Sequence, residues 1–268
     1  MTYADLTFEQ WNDRSDEAAR RIAEEIAGEC SLTVVGLRHT VYAGRSHRVA
    51  LFDREGMRFA LVPGGRPTLG YDAARFQPAA DQADSYADSA SEYGLPPLAE
   101  YVDAMTSPVR SVELPARLIA VEAFDPGDIP RAADDPPDAL AGLATMGLRT
   151  ATPDEWEWAC GSGAATLFRW GDHSPHDGYP YDHRTGPHRE RNLWGLVIGQ
   201  DPYRHEVTTD RAVVCGGDGG SATCGGSGFF LGWLTLATAY RDEEFGRWLA
   251  SDGGYAAAVL TRPVIELA

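Results

Sequence analysis

A chain of 268 residues is long enough to bury a full core, and its 43% apolar and 10% aromatic content is that of a globular protein. The 40 acidic residues against 23 basic ones leave a net charge of −17, which repels phosphate backbones and anionic lipid and argues against nucleic acid and membrane as partners. No apolar run reaches the roughly 20 residues of a membrane helix and no basic, apolar-cored leader opens the sequence, so the expected location is cytoplasmic.

Phe8, Trp11, Ala18, Ile22, Ala23 and Ile26 recur near helical spacing, which predicts a helix over residues 5–28 ended by Gly28. Three strand-like runs follow at 32–37, 48–52 and 57–62, the last two joined by the charged turn 53–56, and the resulting β-meander closes at Pro63-Gly-Gly. Residues 72–100 are rich in Ala and Asp and read as a surface insertion, helical near 79–90. A Pro- and Asp-rich loop is expected over 125–137.

The stretch GLRTATPDEWEWACG at 147–161 has the marks of a capped helix. Thr152 can accept from a first-turn amide, Pro153 loses no bond at the first helical position, and Glu155 completes a capping box. Trp156, Ala159 and Cys160 then share a face, so the helix reads as a core anchor. Residues 172–191 hold His173, His176, His183 and His188 without helical spacing, and solvated loop histidines are the expectation over a metal site. The run 211–228 is glycine-rich but lacks both the Lys-Ser/Thr ending of a phosphate loop and a dinucleotide fingerprint. Two closing strands are expected at 234–241 and 254–262. Cys30, Cys160, Cys215 and Cys224 show no zinc-like spacing and are expected to be free thiols.

Gly147, Arg149, Pro153, Glu155, Trp156, Glu157, Trp158 and Ala159, with Trp170-Gly171 behind them, resemble the signature of formylglycine-generating enzymes and their sulfatase-modifying-factor relatives. The resemblance extends to FALVPGGRPTLG at 59–70, to residues 112–124, which are similar to a strand of the family, to Asn192-Leu-Trp-Gly-Leu and to Gly219-Gly-Ser-Ala-Thr-Cys224. It implies an α+β fold, C-type-lectin-like in the formylglycine-generating-enzyme manner, with an N-terminal helix and β-meander (1–56) packed as part of one domain. Residues 57–268 would then form the family-like part, with an acidic insertion near 72–104.

In the enzymes this chain is similar to, two cysteines five residues apart hold Cu(I). Here the position five residues after Cys224 is Phe229, so copper chemistry is not expected. Calcium is the metal the resemblance implies, with Asn192, Asp201 and Glu206 as oxygen donors, although the relatives' calcium segment is replaced. The function implied is binding of a small molecule or peptide through the Gly-rich and His-rich loops. Tyr179, Tyr181, Phe229, Phe230 and Trp233 would form the wall, with Ser221 and Arg241 as polar contacts. The alternative is an oxidoreductase acting on a thiol or peptide through Cys224, with Cys215 or the histidine loop completing a metal site.

Overall fold

The computed structural model describes residues 2–125, 128, 141–201, 203–217, 219, 220, 222, 226–252 and 259–268. Among them the chain forms α1 (Phe8–Asn12), α2 (Asp16–Glu29), β1 (Thr33–Tyr42), β2 (Arg45–Arg54), β3 (Met57–Val62), β4 (Thr68–Leu69), α3 (Ala80–Tyr93) and α4 (Leu98–Ala104). It continues through β5 (Arg110–Ser111), β6 (Arg117–Ala120), α5 (Ala141–Thr145), β7 (Arg149–Thr150), α6 (Pro153–Gly161), β8 (His205–Val207) and β9 (Val214–Cys215). The last elements are α7 (Phe229–Leu234), α8 (Glu243–Asp252), β10 (Val259–Thr261) and β11 (Pro263–Glu266).

The fold is mixed α+β, organised on an antiparallel sheet of order β1-β2-β3-β6-β11-β7. Alternation along the strands supplies both of its faces. Phe52, Phe59, Leu61 and Leu118 point to one side, where α2 covers them with Ala19, Ala23 and Ile26. Val49, Ala60, Val62, Ile119 and Val264 point to the other, under Trp156, Ala159 and Cys160 of α6 and the 193–198 segment. A third cluster gathers around α7, where Phe230, Trp233 and Leu234 meet Tyr71, Tyr86, Val102 and Phe168. A small sheet of order β10-β8-β9 pairs β10 parallel and β9 antiparallel to β8.

Local chemistry explains the elements that sequence pattern anticipates. Both hairpins of the meander turn on two left-handed residues, Ala43-Gly44 (φ 49° and 73°) and Glu55-Gly56 (φ 53° and 89°), the geometry that matches strand twist. In α6 the Thr152 hydroxyl accepts from the Glu155 amide at 3.1 Å while the Glu155 carboxylate accepts from the Thr152 amide at 2.9 Å. Glu155 also takes Arg149 and Arg117, which fixes α6 against β7 and β6.

Four expectations are corrected. Residues 5–28 form two helices, because Ser15 caps a new one, and Gly28 lies inside it; the chain turns out only at Ser31 (φ 56°). The strand expected within 112–124 narrows to Arg117–Ala120. Residues 234–241, expected as a closing strand, are instead the end of α7 and a run of turns up to a single bridge at Tyr240, and they bury Leu234, Leu236, Ala237, Ala239 and Tyr240 in the third cluster. The strand that does close the main sheet is β11, begun by Pro263 and inserted between β6 and β7. Of the other expected closing strand, residues 259–261 are β10 and 254–258 lie outside the described residues.

Candidate functional site

The 172–191 loop and the residues after 225 converge on α3. Gly228 starts α7, and a Cβ there would come within 2.6 Å of Ser85 Oγ and 2.7 Å of the Ser85 carbonyl, so only glycine permits the approach. The approach has a polar purpose. The Gly228 amide donates to Ser89 Oγ at 2.9 Å and the Phe230 amide to Ser85 Oγ at 3.2 Å, so two serines of α3 satisfy orphan donors at the start of α7. Trp233 then donates its indole N–H to the Gly178 carbonyl at 2.6 Å, which ties the histidine-bearing loop to α7.

Between these pieces lies a cleft of about 590 Å³. Asp81, Asp84, Asp88 and Glu92 of α3 line it at spacings of 3, 4 and 4, one stripe of the helix, and Asp177 faces it from the loop. Tyr179 and Phe229, both half-buried, supply aromatic surface, and no arginine lines it. Like charges one turn apart on α3, with no cation in the helix, repel one another and concentrate negative potential in the cleft.

Of the expected ligand wall, Tyr179 and Phe229 therefore line one cleft, and Tyr181 stacks on Tyr179 with ring centres 6.2 Å apart. Phe230 and Trp233 do not belong to the wall. Both are fully buried, Phe230 stacked on Phe76 at 5.7 Å and Trp233 edge-on to His188 at 4.8 Å. Arg241 is likewise no free ligand contact: Glu157 holds it at 2.7 Å, the Pro153 and Tyr240 carbonyls accept from it, and Cys215 Sγ lies 3.3 Å away. Ser221 and Cys224 lie outside the described residues.

The expected oxygen ligands are engaged by the protein. Asn192 is fully buried; its amide N–H groups donate to the Ala159 and Cys160 carbonyls, and its Oδ1 accepts from the Trp194 and Leu196 amides. Glu206 is clamped by Arg262 and Trp156. Asp201 accepts from the Tyr203 amide in a local turn. Asn192 thus staples a loop and Glu206 balances a buried cation, which corrects the metal assignment of both. Among the described residues no three His, Cys, Asp or Glu side chains gather in a way that could hold a metal ion.

His173 is exposed, as composition suggests, but the other three histidines of the loop are packed. His176 and His183 stack with ring centres 3.9 Å apart, both meet Trp233, and His188 is 2% exposed. Burial pushes His188 down to about 4, so its ring is neutral at physiological pH. Cys160 and Cys215 are fully buried free thiols, each pushed up to about 12 by desolvation, and neither supplies a thiolate.

No protein-family model and no curated protein matches the chain. Nor does any helix among the described residues have the length and apolar character to cross a membrane.

Proposed function

We propose that this chain is a divergent, C-type-lectin-like relative of the formylglycine-generating enzymes that binds a cationic small molecule or basic peptide without copper chemistry. The observation that carries the reading is the cleft between α3, the 177–179 segment and the start of α7. It joins five carboxylates to the aromatic faces of Tyr179 and Phe229. Carboxylates attract an ammonium or guanidinium group, and an aromatic face adds a cation–π contact of about 0.5–2 kcal/mol. A volume of about 590 Å³ is in the range of small-molecule sites, and one end of an extended peptide also fits it. Binding a cation would relieve the repulsion along α3, so affinity and local stability rise together.

What supports a binding role over catalysis is the state of the thiols. Formylglycine formation of the family type needs two soft donors on Cu(I); Phe229 stands where the second would be, and Cys215 is a neutral, buried thiol beside the Arg241 cation.

The test is calorimetric titration with spermidine and with tetralysine at low and high salt. Saturable one-to-one binding that weakens with salt, and falls at least about tenfold in the double variant Asp84→Asn/Asp88→Asn, is the expected result. Unchanged affinity in that variant, with its fold intact by circular dichroism, would overturn the proposal.

A further inference from the structure

Among the described residues the strongly buried arginines have carboxylate partners, with one exception. Arg262 pairs with Glu206, Arg241 with Glu157 and Arg48 with Asp16. Arg169 is 1% exposed and makes no ion pair with any described residue. Its Nη2 donates to the His188 carbonyl at 2.5 Å, while Nε and Nη1 are buried with no hydrogen-bond partner. A guanidinium cannot shed its charge, so an uncompensated one inside a protein is costly and calls for a counter-charge.

A second arginine lines the same cavity. Arg45, first residue of β2, donates through Nη1 to the Ser162 carbonyl at 2.6 Å, and its Nη2 is buried without a partner. Burial also pulls this guanidinium below its ordinary range. Arg45 and Arg169 line one cavity of about 260 Å³ together with Gly163, Ala164, Thr166 and Trp170. No carboxylate lines it, in a protein with 40 acidic residues. The nearest acid in sequence, Asp172, is turned to the Leu167 amide and the Tyr71 hydroxyl. The Tyr42 hydroxyl lies close enough to accept a hydrogen bond from Arg169, but burial holds its phenol near 12, so it stays neutral and supplies no counter-charge. The Arg169 guanidinium rests 4.9 Å over the Trp170 ring, which fixes its plane.

We infer that the cavity between Arg45 and Arg169 is a binding site for a tetrahedral oxoanion, a phosphoryl or sulfate group. Two guanidiniums bring the positive charge that such an anion neutralises, and Arg45 Nη2 with Arg169 Nε and Nη1 are donors left without a protein partner. The volume is below the roughly 300–1,000 Å³ of drug-sized sites, which suits the anion itself or a small monoester with its organic part against Trp170. The site is independent of the acidic cleft: opposite charge, different residues, different ligand.

Thermal shift and calorimetry with inorganic phosphate, sulfate, acetate and chloride, all at matched ionic strength, test it. Phosphate or sulfate is expected to raise the melting temperature saturably beyond chloride and acetate, and phosphoserine distinguishes a monoester site from one for the free ion. Arg45→Gln, at a half-buried position, should weaken that binding at least about tenfold, the loss expected when a charge-assisted hydrogen bond is removed. Arg169→Gln should abolish it, and if that variant fails to fold the Arg45→Gln result decides. Equal shifts from phosphate and chloride, or full phosphate affinity in folded Arg45→Gln, would refute the site.

Discussion

Glu206 grips Arg262 with two contacts of 2.7 Å, Nε to Oε2 and Nη2 to Oε1, and both side chains are buried. Trp156 donates to the same carboxylate at 2.8 Å, and Arg262 also donates to the Ala120, Val121 and Val197 carbonyls. One ion pair therefore joins α6, β8, the end of β6 and the 196–198 turn. Removing the carboxylate alone strands a buried cation and should cost about 3–5 kcal/mol, read from urea unfolding. Replacing both partners with apolar residues, Glu206→Leu/Arg262→Met, should recover much of that loss. A Glu206→Ala protein within 1 kcal/mol of wild type would show the pair to be unimportant.

Buried neutral histidines make acid a specific threat. His47 stacks on Phe8, bonds Asn12 through Nδ1 at 3.0 Å, and is pushed down to about 3 by burial and the neighbouring Arg48 and His39. The unfolded chain titrates near 6.5, so between that value and about 3 it binds more protons than the folded protein. Stability contributed by neutral His47 is complete above pH 6.5 and is lost progressively as pH falls below it. Between pH 7.5 and 5 the loss from His47 should be about 2 kcal/mol by urea unfolding. In His47→Gln the difference between those two pH values should shrink by a similar amount; an unchanged difference would contradict the assignment.

The thiols should behave as core residues. Cys160 and Cys215 are held near 12, so labelling of these two by a thiol reagent at pH 8 is expected to wait on unfolding, while the denatured, non-reduced chain should titrate four. Rapid native labelling mapped to Cys215 would instead favour a reactive-thiol role.

Copper and oxygen should not enable the protein to convert the cysteine of a C-x-P-x-R peptide to formylglycine. Phe229 lines the acidic cleft and cannot coordinate Cu(I), so Phe229→Cys should raise Cu(I) affinity without restoring turnover, because groups that would orient a substrate thiol remain absent. Mass-spectrometric conversion by wild type that disappears in Cys224→Ser would overturn this.

Sequence read best where the physics is local. The Thr152-Pro153-Glu155 cap, the Glu55-Gly56 turn and the alternation of 57–62 each carry their own instructions over a few residues. It failed where burial is complete. Phe229-Phe-Leu-Gly-Trp-Leu is apolar all round and has no helical stripe to read, so its core role passed for a ligand wall. The Ser85 and Ser89 contacts to α7 span about 140 positions and leave no pattern in either segment. Glu206 and Asn192 looked like ligands because composition shows an oxygen donor but not the arginine or amides that consume it. The acidic segment around α3 and the 172–191 loop are each legible in the sequence, but nothing in either segment shows that they face one another across a cleft.

Hydrogen exchange of the whole chain with and without saturating tetralysine tests the binding account most directly. Slowed exchange is expected in residues 80–93, 177–179 and 226–230, and nowhere else to a comparable degree, with the effect erased in Asp84→Asn/Asp88→Asn. Saturable tetralysine binding that protects other segments while leaving these three unchanged would contradict it.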